Sequence, residues 1–177
     1  MKAHNGMRPH DIVVLLKIIS IRGEWLNKDL SSALHISSSE ISESLNRSRI
    51  SGLISPDKKK VMKSAFIKFI QFGLRYVFPV EPGSMERGIP TGHSAPILKD
   101  YFLSAEKYVW PSRLGKEKGF VIQPLYPNQV LAAGDNGQLY DMLALIDAIR
   151  AGKTRECEKA IELLEQIFDK PYAREYN

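Results

Sequence analysis

The 177-residue chain has a single cysteine, Cys157. One cysteine excludes an intramolecular disulfide and a cysteine-based zinc site. No apolar run approaches the roughly 20 residues that span a bilayer. Met1 to Pro9 is polar and lacks the apolar stretch of a signal peptide. A soluble, cytoplasmic protein is therefore expected. The four histidines stand at 4, 10, 35 and 93, without the spacing of metal ligands, so neither a metal nor a cofactor is expected. Apolar residues make up 44% and charged residues 25%, which excludes collagen-like and disordered chains.

Charge of one sign is also missing from one half. Residues 1–79 carry 13 Lys/Arg against 6 Asp/Glu, a balance of +7. Residues 80–177 carry 12 against 14, a balance of −2. A basic module beside a near-neutral one suits a polyanion-binding domain joined to a regulatory or oligomerising companion.

The basic half reads as helices. His10 to Ile21 has a broad apolar face, Ile12, Val13, Leu15, Leu16, Ile18 and Ile19, with Pro9 and Asp11 suited to a first turn. Asn27 to His35 reads as a second helix with Asn27 as its N-cap. Ser37 to Ser51 reads as a third, marked by the capping pattern of Ser37 and Glu40. Gly52 suits a left-handed end to it. A polar turn at Pro56 and Asp57 leads into Lys58, Lys59 and Lys60. Met62 to Tyr76 reads as a fourth helix.

The second and third helices, joined by a tight turn, have the spacing of a helix-turn-helix. Leu30, Leu34, Ile36, Ile41 and Leu45 supply the small core that sets the angle between them. Ser37 caps the third helix, whose free N–H groups and positive dipole end then suit a phosphate. Ser38, Ser39 and Ser42 are short polar side chains fit for a major groove. Asn46 is the candidate for a base contact and Arg47 for the backbone, with Lys58, Lys59 and Lys60 as further phosphate contacts.

This stretch resembles the winged helix-turn-helix of MarR-like transcriptional regulators. The resemblance is carried by Leu30, Leu34, Ile36, Ser37, Ser39, Ile41, Ser42, Leu45, Gly52, Leu53 and Ile54, and covers roughly residues 8–77. Glu43 stands where a basic residue is frequent, and Ser48 where a leucine is usual. The whole chain is similar to a group of bacterial regulators of this architecture. The resemblance implies double-stranded DNA as partner, with the third helix in the major groove and the short wing on the backbone.

Seven of the ten prolines fall between Pro79 and Pro127, which disfavours long helices there. Short strands are expected at Tyr108–Trp110 and Phe120–Gln123. This segment has two readings. It is an ordered loop docked on the helices, or it forms an effector pocket in which Arg87 pairs an anion, Tyr76, Trp110 and Tyr126 supply apolar walls, and His93 lies nearby. Ser94 beside His93 has no G-x-S-x-G elbow, and no enzyme is expected. Gln138–Arg150 and Thr154–Phe168 read as two helices hinged at Ala151 and Gly152.

The expected fold is mainly α: an N-terminal winged helix-turn-helix (1–78), then a Pro-rich α+β segment and two C-terminal helices (79–177). The expected function is sequence-specific DNA binding and transcriptional regulation, by a homodimer responsive to a small-molecule or protein effector. The alternatives are a protein-interaction module, such as an antitoxin or partner-binding subunit, and an enzyme centred on His93.

Overall fold

The structure, a computed structural model, describes residues 4–169. Among them are eight helices and a three-stranded sheet, so the fold is α+β and mainly helical. No helix of the described residues is long and apolar enough to cross a membrane.

Helix α1 spans Pro9–Ser20 and opens on its proline, where a missing N–H costs nothing. Ile12, Val13, Val14, Leu15 and Leu16 are all fully buried. Five consecutive buried residues exceed one helical face, so α1 is covered on more than one side. Helices α2 (Asn27–Leu34) and α3 (Ser38–Ile50) follow. Asn27 is the first residue of α2 rather than its cap. Asp29 instead accepts from the Leu26 N–H at 2.8 Å, placing a carboxylate at the positive helix end. The α2–α3 turn is closed by His35 in the left-handed conformation, φ 53°.

After α3 the chain turns at Gly52, φ 74°, as expected. It then forms a minimal hairpin in which Ile54 bridges Val61 antiparallel. The expected fourth helix is two: α4 (Lys63–Phe72) and α5 (Leu74–Val77). The break falls at Gly73, a poor helix former.

The proline-rich region supplies β1 (Met85–Pro90), β2 (Tyr108–Pro111) and β3 (Glu117–Val121). Strand β1 runs antiparallel to both others, which run parallel to each other, so each strand pairs with the other two. Closure this tight depends on glycine. A side chain on Gly88 would collide with the Trp110 carbonyl, and one on Gly115 with Gly88 itself.

Short α6 (Gln129–Gly134) leads to α7 (Gly137–Ala151) and α8 (Thr154–Asp169). Every residue of α7 from Leu139 to Arg150 except Tyr140 is buried. It packs against α1, α4, α5 and α8. On α4 and α8, the Phe66 and Phe168 rings stack at 5.8 Å. One apolar core therefore runs across the composition change at residue 78.

The polar residues of α7 hold the proline-rich region. Asp147, 1% exposed, accepts from the Thr91 hydroxyl at 2.7 Å, from the Trp110 indole N–H, and from Arg150 at 3.0 Å. Arg150 also donates to the carbonyls of Phe78 and Gln123. Burial pushes the Asp147 carboxyl up from its usual range, against the pull of Arg150 and the other two donors.

Candidate nucleic-acid interface

Helix α3 is capped as its sequence predicts. Ser37 Oγ accepts from the Glu40 N–H at 3.2 Å and lies 3.2 Å from Ser39 Oγ. Ile41, Ser44, Leu45, Arg47 and Ser48 face inward. Ser38, Ser39, Ser42, Glu43, Arg49 and Ile50 face solvent, and Asn46 is half-buried. The outer face therefore runs Ser39, Ser42, Asn46, Arg49, the spacing of one helical stripe. Arg49 was not singled out in the sequence. It donates to Asn46 Oδ1 at 3.0 Å and so orients that amide. Its signal was its position three residues after Asn46.

Arg47 is the principal correction. It was assigned to backbone contact, but it is 5% exposed and turned into the protein. Its Nε and Nη2 donate to the two oxygens of Asp11, each at 2.8 Å, and Nη2 donates to Glu40 at 2.6 Å. His10 Nε2 lies 2.8 Å from Glu40 Oε1 and 3.2 Å from Arg47 Nη2. Asp11 also accepts from the Arg8 N–H. This cluster joins the start of α1 to α3 and fixes their relative position. For Glu40, burial raises the carboxyl pKa, but the hydrogen bonds from Arg47 and His10 outweigh it and hold the group below the usual range. Ser48, standing in place of a leucine, is fully buried and donates to Met7 Sδ at 4.0 Å.

The turn before α3 is held from the other half of the chain. Tyr126 donates its hydroxyl to the Leu34 carbonyl at 2.9 Å, and Asn128 donates to the His35 carbonyl at 3.0 Å. Burial pushes the Tyr126 hydroxyl well above its usual pKa.

The hairpin after α3 is laced at its tip. Ser55 and Lys60 pair through their backbones at 2.8 Å, and the Lys58 N–H closes a turn on the Ser55 carbonyl, with Pro56 at its second position. Ser55 Oγ donates to Asp57 and accepts from the Lys60 N–H. Lys58 takes the left-handed conformation, φ 59°. Lys60 is exposed and Lys58 partly so. Lys59 is exposed as well, and it also makes contacts within the protein. Its ammonium lies 4.7 Å from the centre of the Trp25 ring and donates to the Trp25 carbonyl at 3.4 Å. It pins the hairpin to the loop before α2.

The five residues proposed for an effector pocket do not converge. Tyr76 is 78% exposed. Trp110 and Tyr126 are buried, their polar atoms bonded to Asp147 and Leu34. Arg87 borders a shallow cleft with Glu86, Pro111, Ser112 and Arg113. His93 borders a separate cavity of about 460 Å³. Its Nε2 donates to the Glu106 carbonyl at 2.8 Å, and its Nδ1 lies 3.6 Å from Glu156. Ser94 Oγ, away from His93, accepts from the Tyr108 N–H. Trp110, Tyr126 and His93 thus serve the packing of the fold, while Tyr76 and Arg87 stay on the surface.

No protein-family model, curated protein or solved structure matches the chain.

Proposed function

We propose that this chain is a sequence-specific DNA-binding transcriptional regulator of the winged helix-turn-helix type, similar to the MarR-like regulators. In this reading α3 enters the major groove, and the hairpin 53–62 is the wing. The observation that carries it is the outer face of α3. Its capped N-terminus and Ser39, Ser42 and Arg49 stand in solvent, with Asn46 half-buried in the same stripe, while the opposite face is anchored on α1 and α2. Ser37, Ser38 and Ser39 meet phosphate or base edges, and Asn46, oriented by Arg49, reads a base. Lys58 and Lys60 touch the backbone. Arg47 and Lys59 act indirectly, by holding α3 and the wing in place.

A homodimer supplies the second recognition helix for a half-site about one helical turn away. Phe72, Tyr76 and Val77 on α4 and α5 form an exposed apolar group that favours association through those helices.

The test is binding of the purified protein to its own upstream DNA and to a random duplex, across a salt series. Tighter binding to the upstream site, weakening as salt rises, is expected. Equal, negligible affinity for both at low salt overturns the proposal and favours a protein-interaction module, whose partner would co-purify in stoichiometric amount.

A further inference from the structure

The near-neutral second half brings four of its cations, Arg87, Arg113, Lys116 and Lys118, to one end of its small sheet. Arg87 on β1 stands directly opposite Lys118 on β3 in the antiparallel ladder. Like charges at directly opposed positions destabilise a sheet. Lys116 lies just before β3, two residues from Lys118 in sequence. Arg113 borders the same shallow cleft as Arg87, about 560 Å³ in volume, between Pro111 and Ser112. All four cations are exposed, and none has a carboxylate within 4.0 Å among the described residues.

This gathering is built into the backbone. The Ser112 N–H donates to the Arg87 carbonyl at 3.1 Å, which fixes the loop bearing Arg113 against β1. Gly115 lies so close to Gly88 that it tolerates no β-carbon, and this brings the loop bearing Arg113 and Lys116 back to the strand that carries Arg87. Of the neighbouring carboxylates, Glu117 pairs with Lys107, while Glu86 lines the cleft itself and accepts from Ser84, one carboxylate against four cations.

We infer that Arg87, Arg113 and Lys118, with Lys116 at the margin, form an anion-binding site for a phosphate group. Two guanidinium forks on an open cleft, with the Lys118 ammonium across the ladder from Arg87, match phosphate oxygens, and a bound phosphate offsets the repulsion between Arg87 and Lys118. The cleft is shallow, so it recognises a phosphate rather than enclosing a whole ligand. That phosphate belongs either to a phosphodiester of DNA or to a free phosphorylated molecule. The first source rests on the DNA-binding proposal above, and the second does not.

The experiment uses the full chain, its Arg87→Gln/Arg113→Gln double variant and its Lys118→Glu variant. Thermal unfolding with and without millimolar inorganic pyrophosphate reads the site itself. The wild type is expected to shift upward and both variants are not. Lys118→Glu without ligand is expected to melt above the wild type, because the opposed like charges are gone. The salt series on duplex DNA then separates the sources. A log–log slope smaller by about 2 in the double variant assigns the site to phosphodiester contacts. An unchanged slope, or no DNA binding by any form, alongside a pyrophosphate shift assigns it to a free phosphorylated ligand. The inference is overturned if pyrophosphate shifts wild type and variants alike, or shifts none of them.

Discussion

Asp11 and Arg47 meet side by side, both oxygens of one carboxylate accepting from one guanidinium at 2.8 Å, across 36 residues of sequence. Both are buried, and the pair is the polar joint between the first turn of α1 and the middle of α3. Removing one partner of such a pair leaves a charge in the interior, at a cost of about 3–5 kcal/mol. Asp11→Ala is expected to lower stability by that amount in urea unfolding. Arg47→Met in the Asp11→Ala background should restore most of it. A single variant within 1 kcal/mol of wild type would show that Arg47 reaches solvent unaided.

The same joint makes folding acid-sensitive. Glu40 is held below its usual range by its bonds to Arg47 and His10, despite the opposing effect of burial. A carboxylate depressed in the folded state contributes stability that is complete above its unfolded pKa and is lost as pH falls through the folded one. The wild type should therefore lose its advantage over Glu40→Gln as pH drops below about 4. Melting curves between pH 3 and 7 test this; a constant difference across that range would contradict it.

Lys58 occupies a conformation that costs a side-chain-bearing residue about 1–2 kcal/mol. Lys58→Gly relieves it, with a partial offset from the looser unfolded chain. A net gain of roughly 0.5–1 kcal/mol in thermal unfolding is expected, together with weaker DNA binding from the lost charge. Lower stability would mean that the lysine stem packs on the hairpin.

Asn46 and Lys60 should fail differently. Asn46→Ala is expected to relax preference at one base pair by about 1–3 kcal/mol. Lys60→Ala should weaken every sequence alike and reduce the salt slope by about 1. Competition titrations with single-base substitutions of the upstream site distinguish them. Identical profiles for the two variants would remove the assigned roles. Lys59→Ala should act through the hairpin's seat on Trp25, and lower thermal stability as well as affinity.

Local signals carried much of the helical architecture. The Ser37 cap, Gly52 and the apolar spacing of α1 to α3 are contacts within a few residues, and a sequence displays them directly. Gly73, which splits the expected fourth helix, was visible but weighed too lightly against the apolar run around it. Strand β1 was hidden because Pro90 and Gly88 read as turn residues, and only the closed sheet gives them partners. Helix α6 is too short to show a period. Arg47 was misassigned for a different reason. A basic residue on a recognition helix looks like a DNA contact until its partner is known, and Asp11 lies in another helix. The contact of Lys59 with Trp25 was equally hidden, since only the fold brings Trp25 to it. The proposed pocket failed because residue types suited to a ligand also suit a core, and Trp110 and Tyr126 found their bonds at Asp147 and Leu34.

Helix α1 is covered in part by α7, which follows it far along the chain. Synthesis therefore delivers α1, α2 and α3 well before the surface that completes the cover of α1. Until residue 151 has emerged, α1 has α2 and α3 to pack on but lacks its cover from α7, and that apolar side stays exposed. On the DNA-binding proposal, a chain cut before α7 has α3 braced on an α1 that has lost part of its own cover, so it is expected to bind more weakly than the intact protein.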